Sequence, residues 1–119
     1  MRKAAVQIHK MGAKNVLIKG GHLSGAPVDV FFDGRKFTDL QGVRIHTPHT
    51  HGTGCTISAA IAVELAKGSS ALEAVEKAKA FVTLAIQFSF PLGHGQGPVN
   101  PYAYISREIE QVRIIQKLK

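Results

Sequence analysis

The chain has 119 residues, of which 45% are hydrophobic and 19% are charged, and its formal net charge at pH 7 is +7. This length and composition are typical of one globular domain with a hydrophobic core. No apolar run reaches the ~18 residues of a membrane-spanning helix, and the basic first residues lack the apolar centre of a signal peptide. We therefore expect no binding to a membrane. The single cysteine excludes an internal disulfide bond, which agrees with the reducing cytoplasm, where we expect the protein to be.

The positive charge does not by itself indicate a nucleic-acid-binding protein. The 15 lysines and arginines are spread along the chain without a dense block, tryptophan is absent, and there are only two tyrosines. A nucleic-acid surface usually combines a basic stripe with stacking aromatic side chains. We therefore expect a solvated basic surface and no nucleic-acid partner. Binding to nucleic acid would instead show a steep loss of affinity with salt.

The first part of the chain predicts one helix and four strands. Residues 3–11 place Ala5, Ile8 and Met11 on one helical face before the stop at Gly12. NVLIKGG (15–21) is an apolar run ended by paired glycines and predicts a buried strand. VDVFFDGRKFTDL (28–40) predicts two strands joined at Asp33-Gly34, and the alternation in GVRIHTP (42–48) predicts a fourth. The three aspartates of the hairpin are interpreted as turn and edge-strand residues: Asp29, Asp33 and Asp39.

The remainder predicts three helices. Residues 55–67 have helical spacing and stop at Gly68, and Ser70 with Glu73 forms the pattern of a capping box for a second helix. A glycine- and proline-rich loop follows at 91–101, and residues 102–119 form a final amphipathic pattern. The order of helix, four strands and three helices predicts an α/β fold.

The stretch Gly52-Thr53-Gly54-Cys55, at the start of the first of these helices, is the main candidate site. A helix begins with backbone N–H groups that lack partners, and glycines let that backbone approach a phosphate closely. A thiol in the first helical turn has its thiolate form stabilised, so Cys55 could act as a base toward an attacking hydroxyl. Lys19, at the end of a strand and before two glycines, could contact phosphate oxygens as a point charge.

Other interpretations of these residues remain open at this stage. Gly-x-Gly before a helix is common, and a small buried cysteine packs well at a helix start. The stretch HTPHTH (46–51) is compatible with a zinc site, and Cys55 with His51 is compatible with a thioester-forming nucleophile. The stretch is not a P-loop, because no Gly-Lys-Ser/Thr follows at the required spacing.

Four segments resemble the phosphomethylpyrimidine kinases of thiamine biosynthesis, which belong with the pyridoxal kinases to the ribokinase-like superfamily. They are VLIKGGH (16–22), VDVFFDG (28–34), THGTGCTISAAIA (50–62) and GHGQGPVNP (93–101). The third is the most specific, because most of the superfamily has aspartate at the position of Cys55 and this branch has cysteine.

The resemblance implies a set of roles. The family transfers a phosphoryl group from Mg-ATP to hydroxymethylpyrimidine and to its monophosphate. Gly52, Thr53 and Gly54 would form the anion hole together with Cys55, which would also be the base. Lys19 would contact the ATP phosphates, so ATP and Mg²⁺ are the expected cofactors. The loop 93–99 would lie near the nucleotide.

The resemblance covers the C-terminal half of such kinases, so residues 1–119 would be the C-terminal portion of a ribokinase-like kinase domain. Such a portion is expected to expose a sheet edge and apolar helix faces, and hence to form a homo-oligomer. The alternative is a catalytically idle nucleotide-binding or oligomerisation module derived from the family.

Overall fold

The computed structural model describes residues 1–21 and 24–106. The chain divides into two compact units, Met1–Arg44 and Ile45–Lys119. No helix within the described ranges is long and apolar enough to cross a membrane. The predicted last helix, 102–119, is helical over residues 102–106, and the rest of it lies outside the described residues.

The first unit contains one helix and a small antiparallel sheet. Its elements are α1 (Arg2–Lys10), β1 (Val16–Ile18), β2 (Asp29–Phe32) and β3 (Phe37–Leu40). The strand order is β1-β2-β3, and Phe32 of β2 lies opposite both Val16 of β1 and Phe37 of β3. The sequence therefore located the helix and the first three strands correctly.

The core of this unit forms where α1 packs on β1 and β2. Ala5, Val16 and Phe32 are buried together, and Phe37 stacks on Phe32 with the ring centroids 4.3 Å apart. Of the predicted apolar face of α1, only Ala5 is buried. Ile8 is 40% exposed, and Met11, which follows the last helical residue, is 85% exposed.

The predicted hairpin between β2 and β3 is confirmed. Asp33 closes the connection because its Oδ1 accepts the backbone N–H groups of Arg35 at 2.8 Å and Lys36 at 2.6 Å. The hydrogen bond from Lys36, which has the larger effect, and that from Arg35 hold the pKa of the Asp33 carboxyl below its ordinary value. Gly34 has φ +93°, which explains glycine at this position of the turn.

The predicted fourth strand, GVRIHTP, is wrong. Residues 42–48 pair with no strand among the described residues. Val43 is 78% exposed, and the Arg44 guanidinium donates to the carbonyls of Gly25 and Gly21 at 3.0 and 3.1 Å. An alternating pattern shows which side chains face the same way, but a strand also needs a neighbour for its backbone hydrogen bonds.

The second unit is built on two helices, α2 (Thr53–Ala66) and α3 (Ala71–Gln87). At the end of α2, Gly68 has φ +92°, and the N–H groups of Gly68 and Ser69 donate to the carbonyls of Leu65 and Glu64 at 3.0 and 3.1 Å. This is the Schellman arrangement, in which glycine takes the left-handed position after the helix. The predicted stop at Gly68 is confirmed.

The helix α3 provides most of the buried side chains of the second unit. It contributes Ala74, Val75, Ala78, Val82, Leu84 and Ala85. In contrast, α2 buries only Ile57 and leaves Val63 and Leu65 about half exposed, at 52% and 47%. The helix α2 carries apolar side chains on several sides, and a helix of this kind is usually covered by other parts of a protein on all sides. The expectation of an exposed apolar helix face is therefore confirmed for α2.

Candidate phosphate-binding site

The helix α2 begins at a left-handed glycine. Gly52 is the N-cap residue, with φ +84°, and its carbonyl accepts the Thr56 N–H at 2.9 Å as the first helical bond. A residue with a side chain would be strained at this φ, so the turn requires glycine here. Gly52 is thus the residue that sets the direction of the helix start.

Two backbone N–H groups at this helix start are free to bind a ligand. The Thr53 N–H and hydroxyl donate to the Thr50 carbonyl at 3.3 and 2.7 Å. Within the part of the chain that the structure describes, the N–H groups of Gly54 and Cys55 have no acceptor, and no side chain caps the helix. The helix dipole adds partial positive charge at the same place. The arrangement is suited to an anion.

The space in front of Gly54 is open. A Cβ built on this residue would meet no atom within 4 Å, so nothing in the described fold requires glycine there. Cys55, beside it in the first turn, is exposed with a free thiol. The interpretation of Cys55 as a small buried packing residue is therefore wrong. Both residues face space that a ligand could occupy.

Lys19 lies in the first unit, directly after β1, and is exposed. The next residue, Gly20, donates its N–H to Oδ1 of Asp29 at 2.8 Å, and a Cβ on Gly20 would overlap the Val28 carbonyl. Asp29 is 6% exposed, so its interpretation as a turn or edge residue is wrong. Its buried carboxyl group instead fixes the backbone that follows Lys19.

The glycine-rich loop runs beside the segment that leads into Gly52. His51 and Pro98 form a parallel bridge, in which the His51 N–H donates to Gly97 and its carbonyl accepts from Val99, at 3.2 and 3.0 Å. The Nδ1 of His49 accepts the Gly97 N–H at 3.0 Å. The loop therefore supports the turn, while its predicted nearness to a nucleotide stays a prediction.

The histidines do not form a metal centre in the described structure. Across residues 1–21 and 24–106, no group of three or more His, Cys, Asp or Glu side chains could hold a metal ion. The Nδ1 of His49 already accepts the backbone N–H of Gly97, and no hydrogen bond joins His51 to Cys55. The zinc and thioester interpretations therefore gain no support from the geometry.

Comparison with known proteins identifies the family. The family model of phosphomethylpyrimidine kinase matches residues 1–100. The chain belongs to this family. It is 52% identical over 101 residues to the thiamine biosynthesis bifunctional protein ThiED of Geobacter sulfurreducens. The matched segment is 84% of this chain and 21% of that protein. It is 44% identical over 110 residues to the hydroxymethylpyrimidine/phosphomethylpyrimidine kinase of Staphylococcus aureus, covering 91% of this chain and 40% of that one.

Solved structures show the same ribokinase-like fold. The ADP complex of Bacillus subtilis pyridoxal kinase has a TM-score of 0.84 at 45% identity and covers 87% of this chain. The Staphylococcus aureus pyridoxal kinase in complex with AMP-PCP and pyridoxal has a TM-score of 0.85 at 42% identity. This member of the phosphomethylpyrimidine kinase family spans 40% and 39% of those two chains.

Sequence reasoning missed the roles of His49 and Gly97, which support the α2 turn, and of Asp29, which fixes the backbone after Lys19. From the sequence, His49 is interpreted within the possible zinc site and Asp29 as a turn or edge-strand residue. Gly97 was one of several loop glycines, although a Cβ on it would overlap the Phe90 carbonyl. The glycine before a proline at 97–98 and the paired glycines after Lys19 were the only local indications that backbone approaches closely at these points.

Proposed function

We propose that this chain supplies the phosphoryl-transfer site of a phosphomethylpyrimidine kinase that acts in thiamine biosynthesis in the cytoplasm. The observation that carries the proposal is the open start of α2, where the N–H groups of Gly54 and Cys55 lack acceptors among the described residues. Family membership supports the same reaction, because the relatives that share this segment are named kinases.

The proposed chemistry is positioning combined with electrostatic stabilisation. The backbone of Gly52, Thr53 and Gly54 would receive the oxygens of the transferring phosphoryl group, whose charge grows in the transition state. The exposed Cys55 thiol, in the same helical turn, would take the proton from the attacking hydroxyl of the substrate. The hydroxyl oxygen then forms the new P–O bond as the bond to ADP breaks.

Lys19 and Mg²⁺ would neutralise the nucleotide phosphates. Lys19 is exposed at the end of β1, on a backbone that Asp29 fixes, which suits a point charge directed at phosphate oxygens. Mg²⁺ keeps several waters and is bound largely through the phosphates, with one or two carboxylates at most. The absence of a dense carboxylate cluster from the described residues is compatible with such an ion.

The substrate would be hydroxymethylpyrimidine or its monophosphate, in line with the name of the Staphylococcus aureus relative. Pyridoxal is the second candidate, because one solved relative of 42% identity contains AMP-PCP and pyridoxal. Hydroxymethylpyrimidine and pyridoxal are both heteroaromatic rings with a free hydroxymethyl group, so the same phosphate site would serve either. Comparing the two as acceptors under identical conditions separates them.

We further propose that the chain forms a homo-oligomer. The apolar face of α2 is exposed, with Val63 and Leu65 about half accessible, and such a surface favours association in water. Analytical ultracentrifugation tests this directly. A catalytically idle module would also form the oligomer and bind the nucleotide, but it would transfer no phosphoryl group.

The decisive experiment measures ADP release from Mg-ATP by the purified chain, with and without hydroxymethylpyrimidine, whose hydroxyl group is the acceptor in the proposed chemistry. The same assay is repeated after adding the separately expressed N-terminal portion of the Staphylococcus aureus kinase, on the proposal that this chain corresponds to the C-terminal portion of such a kinase. Substrate-dependent ADP release in either mixture supports the kinase proposal. Background rates in both, with both polypeptides folded by circular dichroism, would overturn it in favour of the idle module.

Replacing the proposed base separates chemistry from binding. Cys55→Ala should lower the transfer rate by at least ~100-fold, the usual contribution of a positioned base, while ADP affinity changes by less than about threefold. Ser106→Ala is the control, since Ser106 is exposed, lies outside α2 and donates its hydroxyl to the Tyr102 carbonyl at 3.1 Å. Equal rates for Cys55→Ala and the wild type would remove Cys55 from the reaction.

A further inference from the structure

The His49 side chain makes a long-range hydrogen bond beside the α2 turn. Its Nδ1 accepts the backbone N–H of Gly97 at 3.0 Å, across 48 positions in the sequence. A backbone N–H can only donate, so Nδ1 must carry a lone pair. In the neutral ring the proton is then on Nε2. The bond therefore selects one tautomer and one ring orientation.

Gly97 is bound at both of its polar groups. Its N–H donates to His49, and its carbonyl accepts the His51 N–H at 3.2 Å. A Cβ on Gly97 would overlap the Phe90 carbonyl and would lie 2.8 Å from the Nδ1 of His49. The loop can therefore take only one register against the segment 49–51.

The backbone of His49 is held as well. Its N–H donates to the Thr47 hydroxyl at 3.1 Å, and that hydroxyl is 3.2 Å from the hydroxyl of Ser89. Only two residues separate His49 from Gly52, whose left-handed φ directs the free N–H groups of the helix start. A shift of residues 49–51 would therefore turn those groups away from a bound phosphate.

We propose that His49 is a positioning residue for the phosphate site. Its unprotonated Nδ1 fixes Gly97, and Gly97 fixes His51 and hence the left-handed turn at Gly52. The inference deepens the proposed function, because it takes the nucleotide phosphate as the ligand of that turn. It assigns to His49 no contact with the nucleotide or the substrate.

Three substitutions at this position distinguish the roles. His49→Leu keeps the bulk and removes the acceptor. His49→Asn supplies an amide oxygen bonded to the same side-chain carbon as Nδ1, so it can accept the Gly97 N–H. His49→Gln is the matched control, because its amide oxygen lies one bond further out, nearer to the place of Nε2.

The first readout is the affinity of the chain for ADP, measured by isothermal titration calorimetry. His49→Leu and His49→Gln should bind ADP about tenfold more weakly, as expected for the loss of one hydrogen bond, and His49→Asn should stay within about threefold of the wild type. Equal weakening in the Asn and Leu variants would mean that the imidazole ring itself contacts the nucleotide. Unchanged affinity in the Leu variant would mean that the His49 side chain does not position the phosphate site. Either result overturns the proposal.

The second readout needs no ligand, and it separates this proposal from the proposed function. Amide resonances of Gly97, Gly54 and Cys55 in the unliganded chain should move in His49→Leu and return towards their wild-type positions in His49→Asn. If the wild-type chain binds no ADP, the proposed function fails, and these spectra still decide the role of His49. Unmoved Gly54 and Cys55 resonances in the Leu variant would overturn it.

Discussion

The two helices of the second unit begin in opposite ways. At the start of α3, the Ser70 hydroxyl accepts the Glu73 N–H, and the Glu73 carboxylate accepts the Ser70 N–H at 2.8 Å. At the start of α2, Gly52 offers no side chain, and the N–H groups of Gly54 and Cys55 have no acceptor in the described part of the chain. One helix start is closed by its own sequence and the other is open.

The difference shows where the sequence favours stability and where it favours binding. A capping side chain typically contributes ~1 kcal/mol to stability. The start of α2 forgoes that contribution, because serine or aspartate would be strained at the left-handed φ of Gly52. Gly97 and Gly20 have no room for a Cβ, whereas Gly54, like Gly68 and several loop glycines, faces open space. What sets the start of α2 apart is therefore the pair of backbone N–H groups without acceptors, which suits a phosphate.

The largest effect is expected from Gly97→Ala, which tests whether the closed glycines are structural. The new Cβ would overlap the Phe90 carbonyl, and overpacking against backbone should lower the free energy of unfolding by about 3 kcal/mol. Urea denaturation followed by circular dichroism measures this. A loss below ~1 kcal/mol would show that the loop adjusts easily, and would weaken the contrast.

Gly54→Ala is the matched substitution at the open glycine and should give the reverse result. Because a Cβ there meets no atom within 4 Å, the free energy of unfolding should change by less than about 1 kcal/mol. The methyl group would occupy the proposed phosphate space, so ADP affinity should fall by at least about tenfold. Unaltered ADP binding in this folded variant would contradict the site.

Ser70→Ala removes the cap of α3 and should affect stability alone. We expect a loss of ~1 kcal/mol in the free energy of unfolding, with unchanged affinity for ADP. Denaturant titration and calorimetry on the same preparation provide both values. Ser106→Ala, at an exposed serine outside α2 and α3, is the control for removing a serine hydroxyl. A fall in ADP affinity in Ser70→Ala would show that binding follows general stability.

The smallest effect concerns pH and the far end of α2. Hydrogen bonds from Lys67 and then Lys77 lower the pKa of Glu64 from 4.5 to about 2. Because the pKa is depressed in the folded state, the contribution of Glu64 to stability is present above pH 4.5 and is lost as the pH falls towards 2. Denaturation between pH 6 and pH 3 should show a smaller decline for Glu64→Gln than for the wild type. Parallel pH profiles would contradict this assignment.

Local features of the sequence were predictable, and contacts between distant segments were not. The stop at Gly68, the capping box at Ser70 and the hairpin at Asp33 each depend on residues within a few positions of one another. The bond between His49 and Gly97 joins residues 48 positions apart, so no local pattern reveals it. The false strand at 42–48 has the same origin, because its alternation is local whereas strand pairing depends on a partner elsewhere.

The candidate site divides in the same way. The glycines, the thiol and the helix start are adjacent in sequence, so their chemistry could be inferred before the fold was known. The exposure of Cys55 and the open space before Gly54 depend on the arrangement of the surrounding chain. The buried position of Asp29 likewise follows from packing, since a carboxylate after a loop is exposed in most proteins.

The most direct test of the account is an NMR titration of the ¹⁵N-labelled chain with ADP, in which the two helix starts are compared within one molecule. We predict saturable shifts of the Gly54 and Cys55 amide resonances, while that of Glu73, already bonded to Ser70, stays in place. Shifts at neither Gly54 nor Cys55 up to millimolar ADP, or equal shifts at both helix starts, would contradict the claim that the open start of α2 is the phosphate site.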